Sequence, residues 1–150
     1  MQPLLQKYIP LFFEREGDIW GEVSKEYKGG ENRGGGKVDC IFCRIVAGKI
    51  PSDILYQDEE VVAFRDINPQ APVHLLVIPK KHITYLADLT EKGTPLVGQM
   101  VSIANQLAKV EGISETGYRL VINCGQQGGQ LVPHLHLHVL GGRQLSGHLG

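Results

Sequence analysis

Three histidines, His134, His136 and His138, alternate with Leu135, Leu137 and Val139 in the segment PHLHLHVL at 133–140. On an extended strand this alternation sends the imidazoles to one face and the aliphatics to the other, with neighbouring histidines about 6.5 Å apart. A terminal tag would be a run of consecutive histidines, so the spacing argues for a row of nitrogen bases backed by core. Such a row serves metal binding, proton transfer or nucleophilic attack. Just ahead of it, Gly125, Gly128 and Gly129 let the backbone turn with its N–H groups open to an anion, and Asn123 and Gln130 add neutral donors. An anion cradle beside imidazoles suits phosphoryl or nucleotidyl transfer, in which a ring nitrogen attacks phosphorus and nearby donors stabilise the charge developing on its oxygens. Cys40 and Cys43 form a separate C-x-x-C pair, open on its own between redox chemistry, metal binding and chance; a thioredoxin-like reading lacks the strand expected before it.

The elements that must carry these residues are short. CIFCRIVAG (40–48) has Ile41, Ile45 and Val46 near helical spacing and Gly48 as a stop. VVAFRD (61–66) and HLLVIP (74–79) read as strands separated by INPQAP, whose two prolines force a turn. Thr94 and Pro95 suit an N-cap and first helical residue of a helix running to about Val110 and stopped by Gly112. Leu96, Met100, Ile103 and Leu107 form its buried stripe, and Val97, Val101, Ala104 and Ala108 a second one beside it. YRLVINC (118–124) and the histidine segment complete the pattern. The expectation is an α+β domain: an antiparallel meander with two helices set among its strands.

One domain is the favoured count for 150 residues, and 42% hydrophobic with 21% charged residues is ordinary for a globular chain. A net charge of -1 provides no footprint for nucleic acid or an anionic membrane, although Lys80 and Lys81 form a local basic pair. No apolar run reaches the length of a membrane span, and the opening LLQKYIPLFFEREGD is a poor signal peptide. Three unevenly placed cysteines fit a reducing, cytoplasmic compartment better than a disulfide framework. Residues 28–37, KGGENRGGGK, have linker chemistry, so the chain divides into an extension and glycine-rich linker at 1–37 and a domain at 38–150. Ile9, Leu11, Phe12, Phe13 and Trp20 leave the extension open between a docked helix and a mobile tail.

HLHLHVL has the form His-φ-His-φ-His-φ-φ and resembles the motif of the histidine-triad superfamily of nucleotide hydrolases and transferases. CIFCRIVAGKIPSDILYQDEEVVAFRDINPQAPVHLLVIPKKHI and GYRLVIN…GGQ…PHLHLHVLGGR are similar to its purine nucleoside phosphoramidase branch, the histidine-triad nucleotide-binding proteins, over about residues 38–145. The resemblance implies hydrolysis of a P–N bond in a purine nucleoside phosphoramidate, with AMP or GMP as the bound nucleotide. His136 would be the nucleophile, forming a nucleotidyl-histidine, with its other nitrogen donating to a backbone carbonyl. His138 would hold the phosphate or leaving group, and His74 would support the triad. Asn123, Gly129 and Gln130 would bind phosphate, Asp66 would accept the ribose hydroxyls, and Phe42, Ile45, Phe64 and Ile67 would line the purine slot, core packing being the alternative for the apolar four. Some relatives bind structural zinc, and the carried-over ligands are Cys40, Cys43, His82 and His134, a closed set suited to tetrahedral geometry.

The resemblance also implies a symmetric homodimer that extends one sheet across both chains, in keeping with an apolar helix face wider than one sheet contact needs. The same face could instead be covered by residues 1–37. Two departures bear on the reaction. Leu131 stands where relatives often have a small hydroxyl residue, and the tail QLSGHLG lacks the usual aromatic and prolines. A uridylyltransferase would have glutamine in place of His138. A dinucleoside polyphosphate hydrolase and a non-catalytic nucleotide-binding module are the alternatives that keep three histidines.

Overall fold

The computed structural model describes residues 39–150. Expectations for the extension, the linker and a start near Val38 lie outside the described residues. Helix α1 (Ile41–Val46) leads into strands β1 (Ile54–Gln57), β2 (Val61–Arg65) and β3 (Val73–Pro79), then helix α2 (Thr94–Val110), β4 (Tyr118–Val121) and β5 (Leu137–Gly141). All four strand pairings are antiparallel, in the order β1-β2-β3-β5-β4. The meander therefore stops at β3: after α2 the chain returns along the far edge as β4, and β5 inserts between β4 and β3.

Alternation along the strands splits the core into two. Val61 and Ala63 of β2, Val73, Leu75 and Val77 of β3, and Leu137 and Val139 of β5 face α2, where they meet Met100, Ile103, Ala104 and Leu107. Val62, Phe64, Leu76 and Ile78 face the other way and pack with Cys40, Phe42 and Ile45 of the α1 segment. Every residue of β3 is buried, as a central strand covered on both faces must be. The six-residue α1 is too short to hold itself, and docking on this second core sustains it. It ends where expected, with Gly48 at φ +70°.

Several boundaries moved. The triad segment is extended, but ladder pairing begins only at Leu137, so His134 and His136 precede β5 while keeping the expected parity. Thr94 is the first helical residue rather than a cap, makes no capping bond, and follows a 3-10 turn at Glu91–Gly93. β1 was not foreseen, because Ile54–Gln57 is short and carries a register irregularity against β2. Of the second stripe on α2, Ala104 and Ala108 are fully buried by their own chain, which leaves Val97 and Val101 half-buried. The far end of α2 is tied to the sheet by a two-pronged ion pair, with Arg65 Nη1 and Nη2 donating to Glu111 at 2.9 and 2.7 Å.

Gly141 closes β5 against the turn after α2. A Cβ there would lie 2.7 Å from Ile113 Cδ1 and 3.3 Å from Ile113 Cβ, and Ile113 is itself buried. Gly141→Ala should cost about 1–3 kcal/mol in urea unfolding, whereas Gly147→Ala, with nothing within 4 Å, should be neutral.

Candidate active site and metal centre

Cys40 and Cys43 flank the first turn of α1, His82 follows β3, and His134 opens the triad segment. Their ligand atoms all lie within 4.8 Å of one another. Cys40 Sγ is 3.3 Å from His134 Nδ1, and Cys43 Sγ is 3.3 Å from His82 Nδ1 and 3.6 Å from His134 Nδ1. Ligands of a tetrahedral zinc ion, bound at about 2.0–2.3 Å, stand about 3.3–3.8 Å apart, so the four residues fit that ion. The outward nitrogens agree. His134 Nε2 is 2.8 Å from the Pro79 carbonyl, which can only accept, so the proton sits on Nε2 and Nδ1 presents its lone pair to the thiols. His82 Nε2 meets Thr84 Oγ1 at 3.2 Å. Burial, reinforced by Cys40, pushes the Cys43 thiol up to about 11, so negative charge there needs a cation beside it.

His136 is reached through His134. Its Nδ1 lies 2.6 Å from the His134 carbonyl and donates to it, leaving the Nε2 lone pair free to attack. Burial pushes the His136 pKa down, so the ring is held in its neutral, nucleophilic form. Phe42 stands edge-on to this ring at 5.2 Å between centroids and to His134 at 5.7 Å, which limits rotation of both.

A second relay sets the proton on His138. The Gln70 backbone N–H donates to His74 Nδ1 at 3.0 Å, so neutral His74 carries its proton on Nε2. That Nε2–H lies 2.9 Å from His138 Nδ1, with Asp66 Oδ2 a longer partner at 3.3 Å. His138 Nδ1 therefore accepts, and its own proton is on Nε2, at the far side of the ring, as a donor for a phosphate oxygen or leaving group. Burial, with the neighbouring imidazoles, pushes His138 down to about 4. Asp66, His74 and His138 also bring ligand-type atoms within 4.8 Å of one another. A metal on His74 Nε2 would require moving its proton to Nδ1, where the Gln70 N–H already points, so this trio is a hydrogen-bond relay.

The glycine loop differs from the expected open cradle. The N–H groups of Gly129 and Gln130 donate within the loop, to the Gln126 and Gly125 carbonyls at 3.0 and 3.1 Å. Gln130 is committed too: Nε2 donates to the carbonyls of Thr84 and Val132 at 2.7 and 3.0 Å, and Oε1 accepts from Gly125 N–H at 2.9 Å. A side chain so engaged has no donor left for phosphate. Asn123 reaches only the Gly129 carbonyl, at a long 3.4 Å, and keeps donor capacity. Gly128 is required by space, since a Cβ would fall 2.4 Å from the Cys124 carbonyl oxygen.

Of the four residues expected to line a purine slot, Phe42, Ile45 and Phe64 are buried in the α1-side core and back the histidines, whereas Ile67 is 40% exposed. Asp66 Oδ1 accepts the Asn68 N–H at 2.8 Å, so its carboxylate serves its own turn and the His74 relay as well as any ligand. Leu131 is 82% exposed. Sequence reasoning missed Gln70 and Pro79, which act through backbone groups that residue type does not advertise, and Thr84, which offers its carbonyl to Gln130 and its hydroxyl to His82. It also missed Arg143, which donates to the Gln70 carbonyl at 2.9 Å and so ties the residues after the triad to the turn that orients His74.

The family model for the HIT domain matches residues 47–145, a span that starts just after the cysteine pair. The chain is 49% identical over 107 residues to the purine nucleoside phosphoramidase of Escherichia coli (strain K12), covering 71% of this chain and 90% of that one. It is 50% identical over 108 residues to a 14 kDa zinc-binding protein of Zea mays, covering 71% and 84%. Among solved structures, a HIT family hydrolase from Legionella pneumophila Philadelphia 1 superposes with TM-score 0.71 at 50% identity, covering 73% of this chain and 97% of that one. A histidine triad protein from Clostridium difficile gives 0.72 at 46%, covering 76% and 99%. Matched in this way in both sequence and fold, the chain belongs to the HIT domain family.

Proposed function

We propose that the protein hydrolyses purine nucleoside phosphoramidates through a nucleotidyl-histidine on His136. The observation that carries this reading is the bond from His136 Nδ1 to the His134 carbonyl at 2.6 Å, which leaves Nε2 as the nucleophile. In the first half-reaction Nε2 attacks the α-phosphorus, the P–N bond breaks, and the amine departs with a proton for which His138 Nε2–H is the nearest donor in the relay. In the second, water attacks phosphorus and gives a proton to His138 Nε2, which restores the donor, the P–Nε2 bond breaks, and AMP or GMP is released. Asn123 faces the phosphate, Asp66 takes the ribose hydroxyls, and the purine rests on Ile67 above the wall of Phe42, Ile45 and Phe64. The activity of the E. coli relative supports the substrate class. The relay supports the division of labour between His136 as attacking base and His138 as donor.

Cys40, Cys43, His82 and His134 are proposed to hold one zinc ion, in keeping with the relative from maize that is named for zinc binding. Zinc there would tie α1 to the triad segment, and with four protein ligands it offers no open position for substrate. A site of two thiolates suits a reducing cytoplasm. The assembly is proposed to be a symmetric homodimer: β4 is an edge strand of the sheet, and Val97 and Val101 of α2 remain half-buried, so a second copy can cover both.

His136→Ala should lower turnover of adenosine phosphoramidate by about 10³-fold or more while AMP still binds, because only the nucleophile is lost. Undiminished turnover would sink the assignment, and faster steady-state cleavage of a dinucleoside polyphosphate than of the phosphoramidate would move the substrate class.

Protein purified without added metal should carry about one zinc per chain by elemental analysis, and chelation should lower its melting temperature. Metal-free protein of full stability would reject the metal centre.

Light scattering should report a dimer both for the full chain and for a version starting at Val38. A monomeric full chain that dimerises only after truncation would make residues 1–37 an intramolecular cover for α2 instead.

A further inference from the structure

We propose that Gln130 is a positioning residue that clamps the two histidine-bearing segments of the metal centre to the glycine loop, so that metal affinity depends on a side chain that is not a ligand. The proposal rests on the metal reading above. The two Nε2 hydrogens of Gln130 land on carbonyls with parallel placements: Thr84 is two residues after His82, and Val132 is two residues before His134. The Val132 carbonyl also accepts the His134 N–H at 2.8 Å, and Thr84 Oγ1 meets His82 Nε2 at 3.2 Å. Between them, Leu135 N–H donates to the Ile83 carbonyl at 2.6 Å. The two segments thus face each other with the Gln130 amide bridging their outer ends.

The third bond reaches further. Gln130 Oε1 accepts the Gly125 N–H at 2.9 Å, which brings the start of the loop after β4 into the same clamp. Only one orientation of the amide works, since the flipped one would set Oε1 against two carbonyl oxygens and Nε2 against an N–H. A half-buried amide with both donors and its acceptor engaged, on the distant Thr84 segment and on both flanks of its own loop, is a brace, and its loss leaves two carbonyls and an amide to be satisfied elsewhere. The segments carrying His82 and His134 then hold their ring nitrogens less well matched to one ion.

The test uses the full chain, with Gln130→Glu, which keeps the acceptor and loses both donors, and Gln130→Met, which loses all three bonds without adding charge. Zinc affinity by competition with a chromophoric chelator should fall about tenfold in either variant. Wild-type zinc affinity in a folded variant would overturn the clamp, and if that variant also lost AMP relative to adenosine, Gln130 would be a phosphate ligand instead. A readout that needs no variant is amide hydrogen exchange in the wild-type chain. Stripping zinc should speed exchange at Gly125, which belongs to neither metal-bearing segment, and unchanged exchange there would equally overturn the proposal. If the wild-type chain binds no zinc, the metal reading fails on its own; Gly125 exchange in Gln130→Met then judges the clamp, with faster exchange expected and unchanged exchange against it.

Discussion

The hydrogen bond from His136 Nδ1 to the carbonyl of His134 joins the proposed nucleophile to the proposed metal centre. Its strength as a device comes from where the acceptor sits. The His134 ring is fully buried between the thiols of Cys40 and Cys43 on one side and the Pro79 carbonyl on the other, so its backbone has little freedom. A nucleophilic imidazole must be neutral, must keep one nitrogen unprotonated, and must aim that nitrogen. Burial supplies the first condition, the carbonyl supplies the second, and the fixed position of that carbonyl with Phe42 against the ring supplies the third.

The sheet makes this arrangement affordable in space by separating two kinds of packing. Among the described residues its α2 face is filled with apolar side chains and carries no histidine, while the α1 face mixes apolar residues with the imidazoles of His74, His134, His136 and His138. Buried imidazoles are tolerated there because each has its partner: no buried side-chain nitrogen or oxygen among the described residues lacks a hydrogen bond. The relay from Gln70 through His74 to His138 is the clearest case, since one backbone N–H determines where two successive rings carry their protons. Arg143, just past the glycine pair that follows the triad, holds that turn in place through the Gln70 carbonyl, so the chain entering β3 and the chain leaving β5 are tied together at one end of their ladder, beyond the Val73–Gly141 pair.

Much of the fold was legible because its signals are local. Apolar runs either side of a proline turn placed β2 and β3, alternation placed the two faces of the histidine segment, helical spacing and Gly48 placed α1, and the stripe of Met100, Ile103 and Leu107 placed α2. β1 was not legible: four residues with an irregular register carry too little pattern to separate a strand from a connection. The order of β4 and β5 was not legible either, since insertion of β5 beside β3 is a pairing of residues sixty or more positions apart, chosen by the whole sheet rather than by either strand.

The chemistry divides along the same line. Residue type and spacing by themselves determined that three imidazoles share a face, that two thiols stand one turn apart, and that a phosphate-directed reaction was the chemistry to expect, because these properties belong to side chains and to the period of the local backbone. Tertiary structure decided which nitrogen of each ring carries its proton, because that depends on carbonyl and N–H groups from Pro79, Gln70 and His134 that every sequence possesses alike. It also decided that the Gln130 amide spends its two donors on the Thr84 and Val132 carbonyls, and that Phe42 and Phe64 are buried in the α1-side core. Those outcomes follow from which distant segments meet, and a backbone carbonyl acquires a role only when folding brings a donor to it.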